Sequence, residues 1–284
     1  LYRLVARVMN TDLPVLITGE SGTGKSLIAR TIHDFSDRRT LPFVVASATD
    51  LQGMDGPSAL VARAKGGTLV FDEVGDLPVE AQARVVRMLD SLGDGAPQIM
   101  ATSRGGLMDE MEDGGFREDL YYRIRVFPID LPPLRERKTD IPRLVEAYIE
   151  RFNRETGKNI QGITNEVWHC FMDHCWPGNV RELENAIEHA YVPCEGPDIG
   201  LFDLPPEIRM VEWRNAHCNE QSPPQVEDSS HATSAATGVQ SSEQLRAVLE
   251  DSGWNRSEAA RRLGVDRSTI WRRMKQWGIY SSSQ

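Results

Sequence analysis

Between Leu13 and about Ile129, short apolar runs alternate with stretches of helical periodicity. The runs fall at 15–17, 43–45, 68–71, 98–101 and 126–129. Each is continuously apolar rather than alternating, the pattern of strands buried on both faces, and predicts a parallel sheet with helices on each side. From Thr139 to about Tyr191 the periodicity is helical, broken only at Trp176-Pro177-Gly178, which predicts a small all-helical lid. Residues 214–241 are rich in Ser, Pro, Gln, Ala and Thr with almost no large apolar residue, and read as a flexible linker. Ser242–Tyr280 then forms a compact segment of its own. The expected organisation is an α/β subdomain over 1–134, a helical lid over 135–209, a linker over 210–241 and an all-α domain over 242–284.

Composition changes this picture little. With 40% hydrophobic and 26% charged residues in 284, the chain can bury sizeable cores. Its formal charge of −10 argues on average against a phosphate-rich partner, although domains can differ in sign. Four cysteines are too few for a disulfide framework, which favours a reducing compartment. No run approaches the ~18 apolar residues of a membrane span. There is no signal peptide, so a cytoplasmic protein without a membrane partner is expected. The chain opens at Leu1 and is already in an apolar run by Pro14, as expected of the C-terminal part of something longer.

The strongest chemical signal is Gly19-Glu20-Ser21-Gly22-Thr23-Gly24-Lys25-Ser26, a complete phosphate loop after a predicted strand and before a predicted helix. Its glycines let backbone N–H groups curl around a phosphate, and the helix N-terminus adds a favourable dipole. Lys25 is expected at the β/γ-phosphates of ATP, and the Ser26 hydroxyl at Mg²⁺. Forty-seven residues after Lys25, an apolar strand ends in Asp72-Glu73. There the first carboxylate would bind Mg²⁺ through water and the second would polarise the attacking water.

Taken with Gly67–Pro78, Phe116–Arg123, Leu131–Arg137 and Trp176–Asn185, the phosphate loop resembles the AAA+ bacterial enhancer-binding proteins, the sigma-54 activator family. The likeness covers roughly residues 1–209, and within the family it is closest to the two-component nitrogen regulators. It implies an AAA+ P-loop sheet with a helical lid and a separate Fis-type helix-turn-helix. It also implies that Arg117 and Arg123 are fingers reaching a neighbouring subunit's γ-phosphate, hence a homo-oligomer (a dimer, or a hexameric ring). Arg181 resembles the lid arginine that senses nucleotide. A guanidinium suits such roles because it offsets charge on transferring oxygens.

The departures from the family pattern are informative. No GAFTGA motif occurs between the second and third strands, where only Leu51–Gly66 lies, and Ser91–Pro97 before the fourth strand is also short. In the family these two loops grip the sigma-54 holoenzyme. Ser47 and Ser103 stand where the family has Asn, one restraining the catalytic Glu and the other positioning water. Ser26 replaces a Glu and restores a hydroxyl for Mg²⁺. The expectation is ATP binding without fast hydrolysis, since phosphate contacts rather than water-positioning groups carry binding. RNA polymerase in a form other than the sigma-54 one is the expected partner. Two alternatives stay open: an active ATPase that remodels polymerase, and a DNA-binding repressor or scaffold with a vestigial AAA+ fold.

After the linker, Glu243–Asp251 reads as a helix with Leu245, Val248 and Leu249 as its stripe. Asn255–Leu263 and Ser268–Trp277 are two more helices around the Gly264-Val265-Asp266 turn, a helix-turn-helix. Residues 254–277 hold seven basic and two acidic side chains, a surplus of five, which leaves the remainder at −15 for the total of −10. Arg267, Ser268, Thr269 and Arg272 are the candidates for base edges; Arg256, Arg261, Arg273 and Lys275 are those for phosphates. The expected target is double-stranded DNA at palindromic upstream sites. His169-Cys170 and His174-Cys175 resemble metal ligands in type, but their helical spacing fits a packed lid helix better.

Overall fold

A computed structural model describes residues 2–51, 56–210 and 242–251, together with Ala259 and Arg262. It divides into two units, residues 1–223 and 224–284.

In the first unit, five strands form one parallel sheet: β1 (Val15–Thr18), β2 (Phe43–Ala46), β3 (Thr68–Phe71), β4 (Gln98–Ser103) and β5 (Phe127–Asp130). Their spatial order is β2-β3-β4-β1-β5. All pairings are parallel, with Leu16 opposite Ala101 and Pro128, so β1 lies between β4 and β5. Helices α1 (Tyr2–Val8) and α2 (Lys25–Asp34) belong to one face. There Val15, Ile17, Val70, Met100 and Ile129 pack with Val5, Val8, Ala29 and Ile32. Onto the other face pack α3 (Gly56–Ala64), α4 (Val79–Asp90), α5 (Leu107–Glu112) and α6 (Glu118–Ile124), meeting Leu16, Leu69, Phe71, Ile99 and Ala101. Alternate residues of each central strand thus feed opposite cores, which is why Val15–Ile17, Leu69–Phe71 and Ile99–Ala101 are unbroken apolar runs.

The edge strands depart from the expected two-sided burial. Val45 on β2 is 50% exposed, and Pro128 and Asp130 on β5 face solvent. Among the described residues neither strand has a neighbour on its outer side, so its cover there is incomplete.

The lid comprises α7 (Ile141–Thr156), α8 (Asn165–Asp173), α9 (Asn179–Tyr191) and the single turn α10 (Pro206–Arg209). It is not wholly helical: β6 (Gly162–Ile163) pairs in parallel with β7 (Asp198–Ile199). Its core gathers Ile141, Val145, Phe152, Val167, Phe171, Trp176, Leu183 and Ile187. Trp176 is fully buried edge-on to Phe171. Cys170 and His174 are both buried, and the His174 ring accepts the Trp176 backbone N–H at its Nδ1. Lys158 Nζ donates to the carbonyls of Tyr191, Val192 and Cys194, satisfying the end of α9.

In the second unit, α11 spans Ser242–Asp251, with Leu245 and Leu249 fully buried, as the apolar stripe predicts. Arg256, Arg261, Arg267, Ser268, Thr269, Arg272, Arg273 and Lys275, with Cys218 of the linker, lie outside the described residues. Among the described residues no helix is long and apolar enough to cross a membrane.

Candidate nucleotide-binding site

The phosphate loop leaves the C-terminal end of β1 and enters α2 at Lys25. Gly19, Gly22 and Gly24 have φ of +151°, +79° and +102°, which residues with a Cβ rarely adopt. A Cβ on Gly22 would lie 2.2 Å from the Gly178 carbonyl oxygen, so the lid backbone closes directly over the loop there. Thr23 donates its hydroxyl to the Glu20 carbonyl at 2.8 Å and tightens the turn.

A cleft of about 400 Å³ opens beside the loop, lined by Ser21, Gly22, Gly24, Lys25 and Ser26, by Asp72 and Glu73, and by Arg181 of the lid. Three sequence segments, the first and last more than 150 residues apart, thus meet at one cleft. The Lys25 ammonium, almost wholly buried, faces Glu73 at 2.9 Å and donates to the Gly19 carbonyl at 2.8 Å. Asp72 accepts from the Thr102 hydroxyl at 2.7 Å, and Thr102 in turn accepts the Glu73 N–H at 2.9 Å. Glu73 stands at a left-handed φ of +51°, strain that Thr102 holds in place. Arg181 reaches the Ser21 hydroxyl at 3.2 Å from the first turn of α9.

Gly19, Glu20 and Thr23 shape the loop without lining the cleft. The Glu20 carboxylate turns instead toward the lid, where Arg135 grips it with two bonds of 2.8 and 2.7 Å. Arg117 and Arg123 also stand outside this cleft: Arg117 pairs with Asp119 at 2.7 Å, and Arg123 with Asp90 at 2.5 Å. Both pairs are substantially exposed. Ser47 engages Asp50 through both its backbone N–H and its hydroxyl, at 2.9 and 2.7 Å. Ser103 is buried; its carbonyl accepts the Gly19 N–H and its hydroxyl the Gly105 N–H.

Sequence reasoning missed four groups here. Arg104 lines the cleft and bridges Glu73 at 3.7 Å and Asp76 at 2.8 Å. Its signal was its place directly after the fourth strand, one residue beyond Ser103. Tyr148 and Glu184 close the lid side. Burial, then the neighbouring Glu184 carboxylate, pushes the Tyr148 phenol up to about 12 against the opposing Arg151, so it stays neutral and donates to Glu184. Asn179 is fully buried at a left-handed φ of +54° and donates to Glu20 and to the Ser21 carbonyl.

The Sigma-54 interaction domain family matches residues 1–134, the AAA+ ATPase lid domain residues 135–220, and the Fis family of bacterial regulatory proteins residues 240–277. The DNA-binding transcriptional regulator NtrC of Escherichia coli K12 is 32% identical over 98% of this chain and 68% of its own length. The chain belongs to the sigma-54 activator family. Another relative, the nitrogen fixation protein AnfA of Azotobacter vinelandii, is 33% identical over 98% of the chain. This family member spans only 55% of that protein's length. Among solved structures, NtrX from Brucella abortus in complex with ATP superposes with a TM-score of 0.65 at 28% identity. That match covers 98% of this chain and 67% of NtrX. As a family member it has the expected α/β AAA+ P-loop fold with its helical lid and a Fis-type segment.

Proposed function

We propose that this chain is the ATP-binding, self-assembling and DNA-binding part of a bacterial transcription regulator of the nitrogen type, acting on RNA polymerase without the sigma-54 contact. The observation that carries nucleotide binding is the convergence of Lys25, Ser26, Asp72, Glu73 and Arg181 on one cleft beside a glycine loop. Ser26 and Asp72 offer hard oxygen donors at that cleft, a set that fits Mg²⁺. When bound, the ion would neutralise charge on the phosphates. Lys25 binds phosphate, Arg181 reports it to the lid, and Glu73 is the group able to accept a proton from water. Arg117 and Arg123, standing on the surface away from the cleft, are arranged for a site on a neighbouring copy.

The sigma-54 part of the reading rests on the two short loops. Between β2 and β3 there is no GAFTGA motif, and the described part of the connection is a 3-10 turn followed by α3. Substitution of Ser at 47 and 103 favours binding over turnover, because Ser47 closes its own turn with Asp50. The Fis match at 240–277 and the five surplus positive charges of residues 254–277 within it support double-stranded DNA as partner.

Titration with a fluorescent ATP analogue, beside a steady-state phosphate-release assay, tests the nucleotide claim. Micromolar binding that Lys25→Ala abolishes, with turnover well below one per second, is the expected pair of results. Fast turnover at saturating ATP would favour the active ATPase instead.

A further inference from the structure

Glu20 places a carboxylate inside a loop whose task is to hold phosphate anions. Uncompensated, that charge opposes any polyphosphate nearby. The structure cancels it from the lid side: Arg135, in the 3-10 turn Leu134–Glu136 where the lid begins, contacts both Glu20 oxygens at 2.8 and 2.7 Å in the fork geometry of a guanidinium–carboxylate pair. The Asn179 amide adds a third donor at 3.1 Å to one of those oxygens. These contacts hold Glu20 ionised, with its carboxyl below the usual glutamate range, chiefly through the hydrogen bonds from Arg135.

Asn179 and its lid neighbours also hold the loop backbone. Asn179 donates to the Ser21 carbonyl at 3.0 Å, the Val180 N–H to Gly22 at 3.0 Å, and Arg137 to Thr23 at 2.8 Å. Asn179 Oδ1 accepts the Leu134 N–H at 2.7 Å, which ties the start of α9 to the turn that carries Arg135. Loop, turn and lid helix are therefore joined by bonds independent of Arg181.

We propose that Arg135 is an electrostatic shield and positioning residue: with the lid docked it cancels Glu20 so that the loop accepts phosphate, and lid displacement unmasks Glu20 and weakens nucleotide binding. This rests on the nucleotide-binding reading above. It assigns the Glu20–Arg135 pair, rather than Arg181 alone, to coupling lid position with affinity.

The test is a charge cycle in the full chain, read by ATP dissociation constants at low and high salt, with circular dichroism to confirm folding. Arg135→Gln should weaken ATP binding about five- to tenfold, as an unmasked charge near the phosphates would. The double variant Glu20→Gln/Arg135→Gln should return to within about twofold of the parent, and Glu20→Gln alone should bind at least as tightly as the parent. Raised salt should shrink the Arg135→Gln defect. A double variant as weak as Arg135→Gln, or an Arg135→Gln chain that binds like the parent, overturns the shield while leaving nucleotide binding intact. A parent chain that binds no ATP overturns the nucleotide reading itself and the shield with it.

Discussion

The Thr102 hydroxyl donates to Asp72 at 2.7 Å and accepts the backbone N–H of Glu73 at 2.9 Å. One buried side chain on β4 thereby fixes both acidic residues at the end of β3. The parallel register that sets Phe71 opposite Ala101 places Thr102 beside that turn. Replacing Thr102 with Val preserves shape but leaves Asp72 and the strained Glu73 amide without this partner. The expected cost is about 1–3 kcal/mol of stability, read from the urea midpoint. A weaker Mg²⁺ dependence of ATP binding should accompany it, measured by titrating the ion at fixed nucleotide.

Two loop glycines should respond differently to alanine. A Cβ at Gly24 meets nothing within 4 Å, so the cost is that of its φ of +102° alone, about 1–2 kcal/mol. At Gly22 the same Cβ strikes the Gly178 carbonyl and forces the lid away. Gly22→Ala should therefore lose more stability than Gly24→Ala in parallel chemical denaturation. Equal losses would show that the lid does not rest on the loop.

Arg117 and Arg123 make exposed, solvent-screened ion pairs, which contribute little to stability. Alanine at either position should leave the unfolding midpoint nearly unchanged. ATP-promoted assembly, followed by light scattering, should nonetheless be lost if both serve a neighbouring copy. Intact assembly in both variants would confine them to the surface.

The Glu20 pair gives a signed pH effect. A carboxyl depressed in the folded state contributes stability that is fully present above its unfolded value of about 4.3 and is lost as pH falls through the folded value. Stability of the parent chain should thus exceed that of Arg135→Gln most at neutral pH. The gap should close in acid below about pH 4. Denaturation midpoints of the two chains across that range check this.

DNA binding should reside in the tail. Removing Lys275, expected from the sequence at a phosphate, should lower affinity on all sequences and reduce the salt slope by about one. Removing Arg267 should relax sequence preference at one position. Gel-shift titrations at several salt concentrations distinguish the two.

Much of this architecture was legible because its signals are local. The runs at 15–17 and 68–71 become central strands, and the glycine loop and Asp72-Glu73 sit at the ends of two of them. What escaped was set by tertiary contacts. Arg104 reads as an ordinary charge until β4 brings it beside Glu73. Glu20 reads as a loop residue facing nucleotide until Arg135, 115 residues away, turns it to the lid. Exposure of Val45 follows from β2 being an edge strand, which an apolar triplet does not reveal.

The central claim is a nucleotide-bound regulator that works without sigma-54. Transcription in vitro from a promoter carrying the protein's own binding site, with housekeeping and sigma-54 polymerase compared side by side, tests it most directly. The account predicts ATP-dependent regulation of the housekeeping enzyme, reproduced by a non-hydrolysable analogue and abolished by Lys25→Ala. Stimulation confined to the sigma-54 enzyme and requiring hydrolysis would contradict it.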